Sequence, residues 1–262
     1  MKFSVSNIAW TAEQDAWAYD KMKQYGFTGL EIAPTRIFPE APYEDTVRSR
    51  TWRKALEVSY GFSVPSMQSI WYGRKERIFG SGRERDILLS YTKKAIDFAE
   101  SVDCKNLVFG CPRNRSLPEG AEAGAAVGFF KALGEYAQAH GTVVGMEANP
   151  PIYHTNYIND TQSALSLIAQ VASPGFLLNL DVGTMLENGE EAALLSGRVH
   201  LISHVHISEP GLGCIRPRRL HGELAALLRS EGYQGFVSIE MGKQENPKSL
   251  EEAMAYVKEC FG

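Results

Sequence analysis

The sequence predicts a single α/β domain spanning residues 1–262, a (β/α)8 barrel of the TIM type. Three observations lead there. Short β-type runs alternate with helical-period stretches from end to end. No linker, low-complexity tract or shift of composition divides the chain. Four of the runs carry a polar residue at or next to their end, Glu147, Asp181, His206 and Glu240, spaced by 34, 25 and 34 residues, about one strand-plus-helix unit each. A length of 262 residues suits two small domains or one barrel of roughly 250 residues, and the unbroken alternation selects the barrel. A doubly wound sheet alternates in the same way. The four strand-end residues favour closure, because they meet at one mouth only if their strands curve about a common axis.

Taken in order, the candidate strands are KFSVSN (2–7), GLEIA (29–33), SVPSMQS (63–69), NLVFG (106–110), VVGME (143–147), FLLNLD (176–181), ISHVHI (202–207) and FVSIE (236–240). Helical stretches between them include DAWAYDKMKQYG, RERDILLSYTKKAIDFAESV, LHGELAALLRSEG and KSLEEAMAYVKECF. In the second of these, Ile87, Leu88, Tyr91, Ala95, Ile96, Phe98 and Ala99 follow a three-to-four spacing. Local punctuation agrees: Thr11 and Gln14 stand at capping-box spacing, Asn246-Pro247 suits a helix start, and Gly26 and Gly232 suit helix ends. A short helix is expected over 188–197.

Hydrophobic content of 44% with 22% charged residues is that of a globular chain with a large core. A formal net charge of −4 without a Lys/Arg run offers no footprint for a polyphosphate chain, so nucleic acid is not the expected partner. The start, MKFSVSNIAW, lacks the apolar run of a signal peptide, and no stretch suits a membrane span; a cytoplasmic location and no membrane association are the expectation. Cys104, Cys111, Cys214 and Cys260 lack paired metal or redox spacing and read as reduced thiols.

Carboxylate oxygen is a hard ligand and imidazole a borderline one. Glu147, Asp181, Glu240 and His206 converging at one barrel mouth therefore make a site for one divalent cation, Mn²⁺ or Mg²⁺ first, with Co²⁺ or Zn²⁺ as alternatives. Singly, an acid at a strand end is often a helix cap and one histidine is usually a satisfied core residue; four such residues at successive strand ends are a metal site.

With these residues in view, the chain resembles the xylose-isomerase-like barrel superfamily of sugar isomerases and epimerases over its whole length. The resemblance is strongest at GMEANP around Glu147, LNLDVGT around Asp181, HVHISE around His206 and SIEM around Glu240. It implies that Asp181 and His206 serve as ligands only, while Glu147 and Glu240 are ligands and catalytic acid/bases. It also implies a homo-oligomer, dimer or tetramer, and a small sugar substrate. The chemistry is coherent: with charge stabilised beside a sugar carbonyl, the neighbouring C–H loses its proton to give an enediolate, and a second carboxylate returns a proton. The chain departs from the ketose 3-epimerase pattern, with Thr184 where a histidine is expected three after Asp181 and Leu212 where an arginine is expected six after His206.

Around the mouth, Gln68 and Glu31 end strands and suit sugar hydroxyls, although Glu31 equally suits an ion pair at the rim. His204 shares a strand face with His206 and reads as a polar layer residue beneath it. Glu209, three after His206, suits the substrate or its loop. Aromatics Trp10, Trp71, Tyr72, Tyr153 and Tyr157 suit the apolar faces of a sugar, with Trp71 carried as substrate-binding. His154 sits in a long loop. The arginine clusters at CPRNR (Arg113, Arg115) and IRPRRLH (Arg216, Arg218, Arg219, with His221) suit a phosphate or carboxylate, pointing to an anionic sugar derivative. Competing expectations are a dehydratase or lyase acting on a keto-sugar or cyclitol at the same site, a non-catalytic barrel subunit, and a DNA-repair endonuclease IV-like enzyme, the last opposed by the shortage of histidines and the negative charge.

Overall fold

In a barrel wall, every second side chain faces the outer helices and those between face the interior. A computed structural model describes all 262 residues, Met1–Gly262, and the strands follow this rule. They are β1 (Lys2–Ser6), β2 (Gly29–Glu31), β3 (Asn106–Phe109), β4 (Val143–Met146), β5 (Phe176–Asp181), β6 (Ile202–Ile207) and β7 (Phe236–Ile239). On β6, Val205 and Ile207 join the apolar core while His204 and His206 do not; on β5, Leu178 and Leu180 alternate with Asn179 and Asp181. All pairings are parallel, in the order β2-β1-β7-β6-β5-β4-β3. A register shift between Leu178 and Asn179 sets Asp181 directly opposite His206.

The expected third strand, 63–69, is not a continuous ladder. It runs between β2 and β3 on isolated bridges, Gly29 to Ser63, Ile32 to Met67 and Met67 to Leu107. Leu30 N donates to Ser63 O at 2.9 Å on one side, and Val108 N to Met67 O at 2.8 Å on the other. Pro65 lies in the middle of this segment and has no N–H to give, which explains the interruption. Seven strands and this interrupted eighth stave thus make the wall of the (β/α)8 barrel.

Nine α-helices accompany the wall: α1 (Asp15–Gln24), α2 (Pro34–Ile37), α3 (Thr46–Tyr60), α4 (Gly82–Ser101), α5 (Gly124–Ala139), α6 (Thr161–Val171), α7 (Val182–Asn188), α8 (Arg219–Ser230) and α9 (Lys248–Phe261). Their starts are written locally. Ser81 and Glu84 form a capping box on α4, and Asp160 accepts from Ser163 N at 2.7 Å on α6. Gly26 and Gly232 adopt left-handed backbone (φ 74 and 75) just beyond α1 and α8, as expected. The helix expected over 188–197 is displaced. The carboxylate of Asp181 starts α7 immediately after β5, left-handed Gly189 (φ 64) stops it, and only a 3-10 turn, Ala192–Leu195, follows. No helix is long and apolar enough to cross a membrane.

His221 corrects another expectation. It does not reach the barrel mouth but is buried at the start of α8, with Nδ1 3.0 Å from the Tyr256 hydroxyl of α9. Burial, opposed by Glu209, lowers its pKa from 6.5 to about 4. Between those values the unfolded chain binds a proton that the folded chain does not, so this contribution to stability is whole above pH 6.5 and is lost as pH falls toward 4. Denaturant melts at pH 7, 6 and 5 are expected to show stability falling in that direction, with a shallower slope in His221→Gln. Equal slopes for the two proteins would refute the assignment.

The packing of α5 on the segment leading into β5 is equally specific: a Cβ on Gly175 would lie 1.9 Å from the Gly134 carbonyl oxygen. Gly175→Ala is expected to cost about 1–3 kcal/mol through overpacking, read as a lowered thermal midpoint.

Candidate functional site

The interior of the barrel is polar, and its hydrogen bonds run across it rather than along the wall. Gln68 Nε2 donates to Ser6 Oγ at 2.7 Å and to Glu31 Oε1 at 3.1 Å, and Asn106 Nδ2 donates to Asn179 Oδ1 at 3.3 Å. Above this layer, at the carboxyl ends of β4 to β7, stand Glu147, Asp181, His206 and Glu240. One donor atom from each lies within 4.8 Å of all the others. His206 Nδ1 is 3.1 Å from Glu147 Oε1 and 3.2 Å from Glu240 Oε2.

Each of these side chains is held by neighbours. His206 Nε2 lies 2.9 Å from Glu31 Oε2, an acceptor only, so Glu31 keeps Nε2 protonated and turns Nδ1 toward the carboxylates as the nitrogen that would bind a cation. His204 Nε2 is also 2.9 Å from Glu31 Oε2, in the layer expected for it. Asp181 Oδ2 accepts from Thr184 N at 2.8 Å and lies 2.8 Å from Thr184 Oγ1; Oδ1 accepts from Ser208 Oγ. Thr184, standing where a histidine was expected, therefore orients Asp181 and begins α7. Glu147 accepts from Asn179 Nδ2 and Asn149 Nδ2, both at 3.0 Å. Gly110 leaves room for it, since a Cβ there would lie 2.6 Å from Glu147 Oε2.

The electrostatics follow from this crowding. Burial, with Glu147 and Asp181 nearby, pushes Glu240 up to about 7 against the pull of His206. Burial and Glu147 also raise Asp181. For His206, burial is outweighed by Glu240, Glu31 and Glu147, which hold the ring well above its usual range. Glu31 shows the converse: burial is outweighed by His206 and His204, and its carboxyl is held well below the usual range. Three hard carboxylates and one imidazole nitrogen, mutually within reach and rich in negative charge, fit a divalent cation. Glu147, Asp181, His206 and Glu240 are the residues that would hold it.

A cavity of about 170 Å³ opens over this cluster, lined by Gln68, Gly110, Glu147, Asn149, Tyr153, Asp181, Ser208, Leu212 and Glu240 among others. Gln68 and Tyr153 thus reach the site, and Leu212 occupies the wall where the expected arginine is absent. Other substrate-binding expectations fall elsewhere. Arg115 is wholly buried and offers no anion fork; it donates to Glu147 O and Asn149 Oδ1, both at 2.8 Å, and so braces Glu147 through Asn149. Trp71 is buried on Phe109 and Phe129 and donates to Thr92 Oγ1 at 2.8 Å. Glu209 is buried and engaged by Arg218, at 2.9 and 2.6 Å, while Arg216 is exposed and gives only its backbone N–H to Glu209. Arg113 is exposed beside a second cavity. Burial pushes the Cys111 thiol up to about 12, in keeping with an unreactive residue.

The residues missed from sequence are the orienting ones, Asn149, Asn179 and Ser208, and the full role of Glu31. A signal was present: each of the first three lies two positions from a member of the quartet, on the same face of an extended chain.

Comparison with known proteins agrees with the fold. The family model described as xylose isomerase-like TIM barrel matches residues 19–260. No curated protein matches the sequence. Among solved structures, a 3-keto-D-glucoside 4-epimerase from E. coli superposes with a TM-score of 0.79 at 21% identity, covering 99% of this chain and 100% of that one. A D-psicose 3-epimerase from Clostridium cellulolyticum, solved with D-tagatose, gives 0.80 at 16% identity over 100% and 99% of the two chains. A family 2 AP endonuclease from Brucella melitensis gives 0.74 at 18% identity over 98% of each, so likeness at this level speaks for the fold alone.

If Glu31 sets the tautomer of His206, Glu31→Gln is expected to weaken Mn²⁺ binding about 10- to 100-fold by calorimetry, with the wild-type stoichiometry kept. Unchanged affinity would refute that role.

Proposed function

The chain belongs to the xylose isomerase-like TIM barrel family, and from that premise we propose that it is a divalent-cation-dependent isomerase or epimerase of a sugar or sugar derivative. One observation carries the reading: two glutamates, Glu147 and Glu240, belong to the same tight cluster as Asp181 and His206 and line one small cavity. Pure structural binding of a cation needs no such pair of potential proton carriers over an open cavity. A cation held by the quartet supplies positive charge opposite a developing sugar oxyanion.

The chain's own groups do the rest. One glutamate carboxylate takes the proton from the carbon next to the carbonyl; the C–H pair becomes the C=C bond of an enediolate, and the carbonyl π pair moves onto oxygen. The other glutamate, protonated, gives its proton to the opposite face of the same carbon, with the electrons flowing back to re-form the carbonyl. The configuration inverts. Delivery to the former carbonyl carbon, with the neighbouring hydroxyl giving up its proton to the enediolate oxygen and becoming the new carbonyl, yields an aldose–ketose pair instead. Asp181, fixed by Thr184 and Ser208, and His206, fixed by Glu31, stay in place through these transfers. The neutral amide of Gln68, already tied to Ser6 and Glu31, offers its carbonyl to sugar hydroxyls. The epimerase activities named for two of the similar structures support the reading by analogy.

Incubation of Mn²⁺-loaded protein with a panel of ketoses and aldoses in D₂O is expected to place deuterium beside the carbonyl, with exchange abolished by a chelator. Glu147→Gln and Glu240→Gln are each expected to lower exchange at least about 100-fold. Full activity in either variant, or no deuterium in any sugar, would overturn the proposal. Release of water without a stereoisomer would indicate a lyase.

A further inference from the structure

A second cavity, of about 440 Å³, adjoins the first and shares Ser69, Cys111 and Pro112 with it. The two are opposite in charge. The inner one is lined by three carboxylates and no cation; the outer one by Arg74, Lys75 and Arg113 and no acid. Arg74 is paired with Glu76, but Lys75 and Arg113 make no ion pair. Both are exposed, and Tyr72 beside them leaves 72% of its surface free. The shared rim is also conformationally unusual: Ser69 (φ 55) and Cys111 (φ 44) are non-glycine residues in the left-handed region. Such backbone costs roughly 1–3 kcal/mol per residue and tends to persist where a site needs it. Here it turns the chain sharply after the interrupted stave and after β3, and it is these turns that bring the two cavities together.

The inner cavity falls below the roughly 300–1,000 Å³ of ordinary small-molecule sites, whereas the outer one lies within that range. We infer that the substrate is a sugar carrying an oxyanion, a phosphate or a carboxylate, with its carbonyl end in the inner cavity and the oxyanion in the outer one on Lys75 and Arg113. This rests on the sugar isomerase reading of the inner site. A cation held by the quartet would draw the carbonyl and hydroxyl oxygens into the inner cavity, while Lys75 and Arg113 attract the oxyanion in the outer one, so the two cavities divide the substrate between them. Arg113 supplies a planar donor fork and Lys75 a point charge, a pairing suited to tetrahedral or planar oxyanions. Tyr72 offers its face to the intervening carbon chain.

Exchange in D₂O is measured for neutral ketoses, for the same ketoses phosphorylated at the terminal carbon, and for the corresponding keto-acids with a terminal carboxylate. The Mn²⁺-loaded chain is expected to favour one anionic set over its neutral parents by about tenfold or more in kcat/KM, the set identifying phosphate or carboxylate as the group. The double variant Lys75→Ala/Arg113→Ala is expected to lose that preference. A preference for neutral sugars, or one that survives in the variant, would overturn the inference. Calorimetry with inorganic phosphate and with acetate, in chelator so that no metal offers a second site, separates the two proposals. If no sugar exchanges, the isomerase reading fails, while binding of either anion by the wild type that is lost in the double variant still supports the outer site. No binding of either, or equal binding by both proteins, overturns it.

Discussion

Everything in this barrel is arranged around one constraint, the confinement of three carboxylates about a single imidazole nitrogen. Two like unit charges about 4 Å apart repel by roughly 4 kcal/mol at an effective dielectric of about 20. Glu147, Asp181 and Glu240 bring donor atoms within 4.8 Å of His206 and of one another at positions nearly closed to solvent. The chain meets this with directed hydrogen bonds: Thr184 and Ser208 on Asp181, Asn149 and Asn179 on Glu147, and Glu31 behind His206. A divalent cation at the centre would turn the remaining repulsion into attraction. That is why the cluster reads as a metal centre rather than as a structural ion-pair network.

The same constraint explains why the interior is polar while the shell between wall and helices is apolar. A buried donor or acceptor without a partner costs about 1–3 kcal/mol, so a charged mouth has to rest on a connected layer. Gln68, Ser6, Asn106, Asn179, His204 and Glu31 form that layer. Arg115 extends it outward: a fully buried guanidinium holds the Glu147 carbonyl and, through Asn149, the Glu147 carboxylate. The inferred oxyanion site lies outside this rigid part, on the turns after the interrupted stave and after β3, beside the cationic cavity.

Much of the fold was legible because strands and helices have different hydrophobic periods, and the quartet was legible because polar residues ending four apolar runs are conspicuous. The third strand was readable as a segment but not as a ladder, although Pro65 within SVPSMQS marks the interruption. The helix placed over 188–197 misjudged Asp181, whose carboxylate both faces the site and starts α7. The arginine clusters show the limit of sequence reading most plainly. Arg113 and Arg115 stand two residues apart, yet a 3-10 turn leaves one exposed and buries the other. Arg218 is engaged by Glu209 from the preceding loop, a pairing that spacing does not announce. His221 went astray for the same reason, since burial under α9 is a property of packing and not of local pattern.

The most direct test of the metal centre is anomalous diffraction at the manganese edge from crystals of the Mn²⁺-loaded protein. One strong peak per chain is expected, bonded to Glu147, Asp181, Glu240 and the Nδ1 atom of His206, with Nε2 of that ring still on Glu31. A peak at Glu31 and His204 instead, or no peak within bonding distance of the quartet at saturating Mn²⁺, would contradict this assignment.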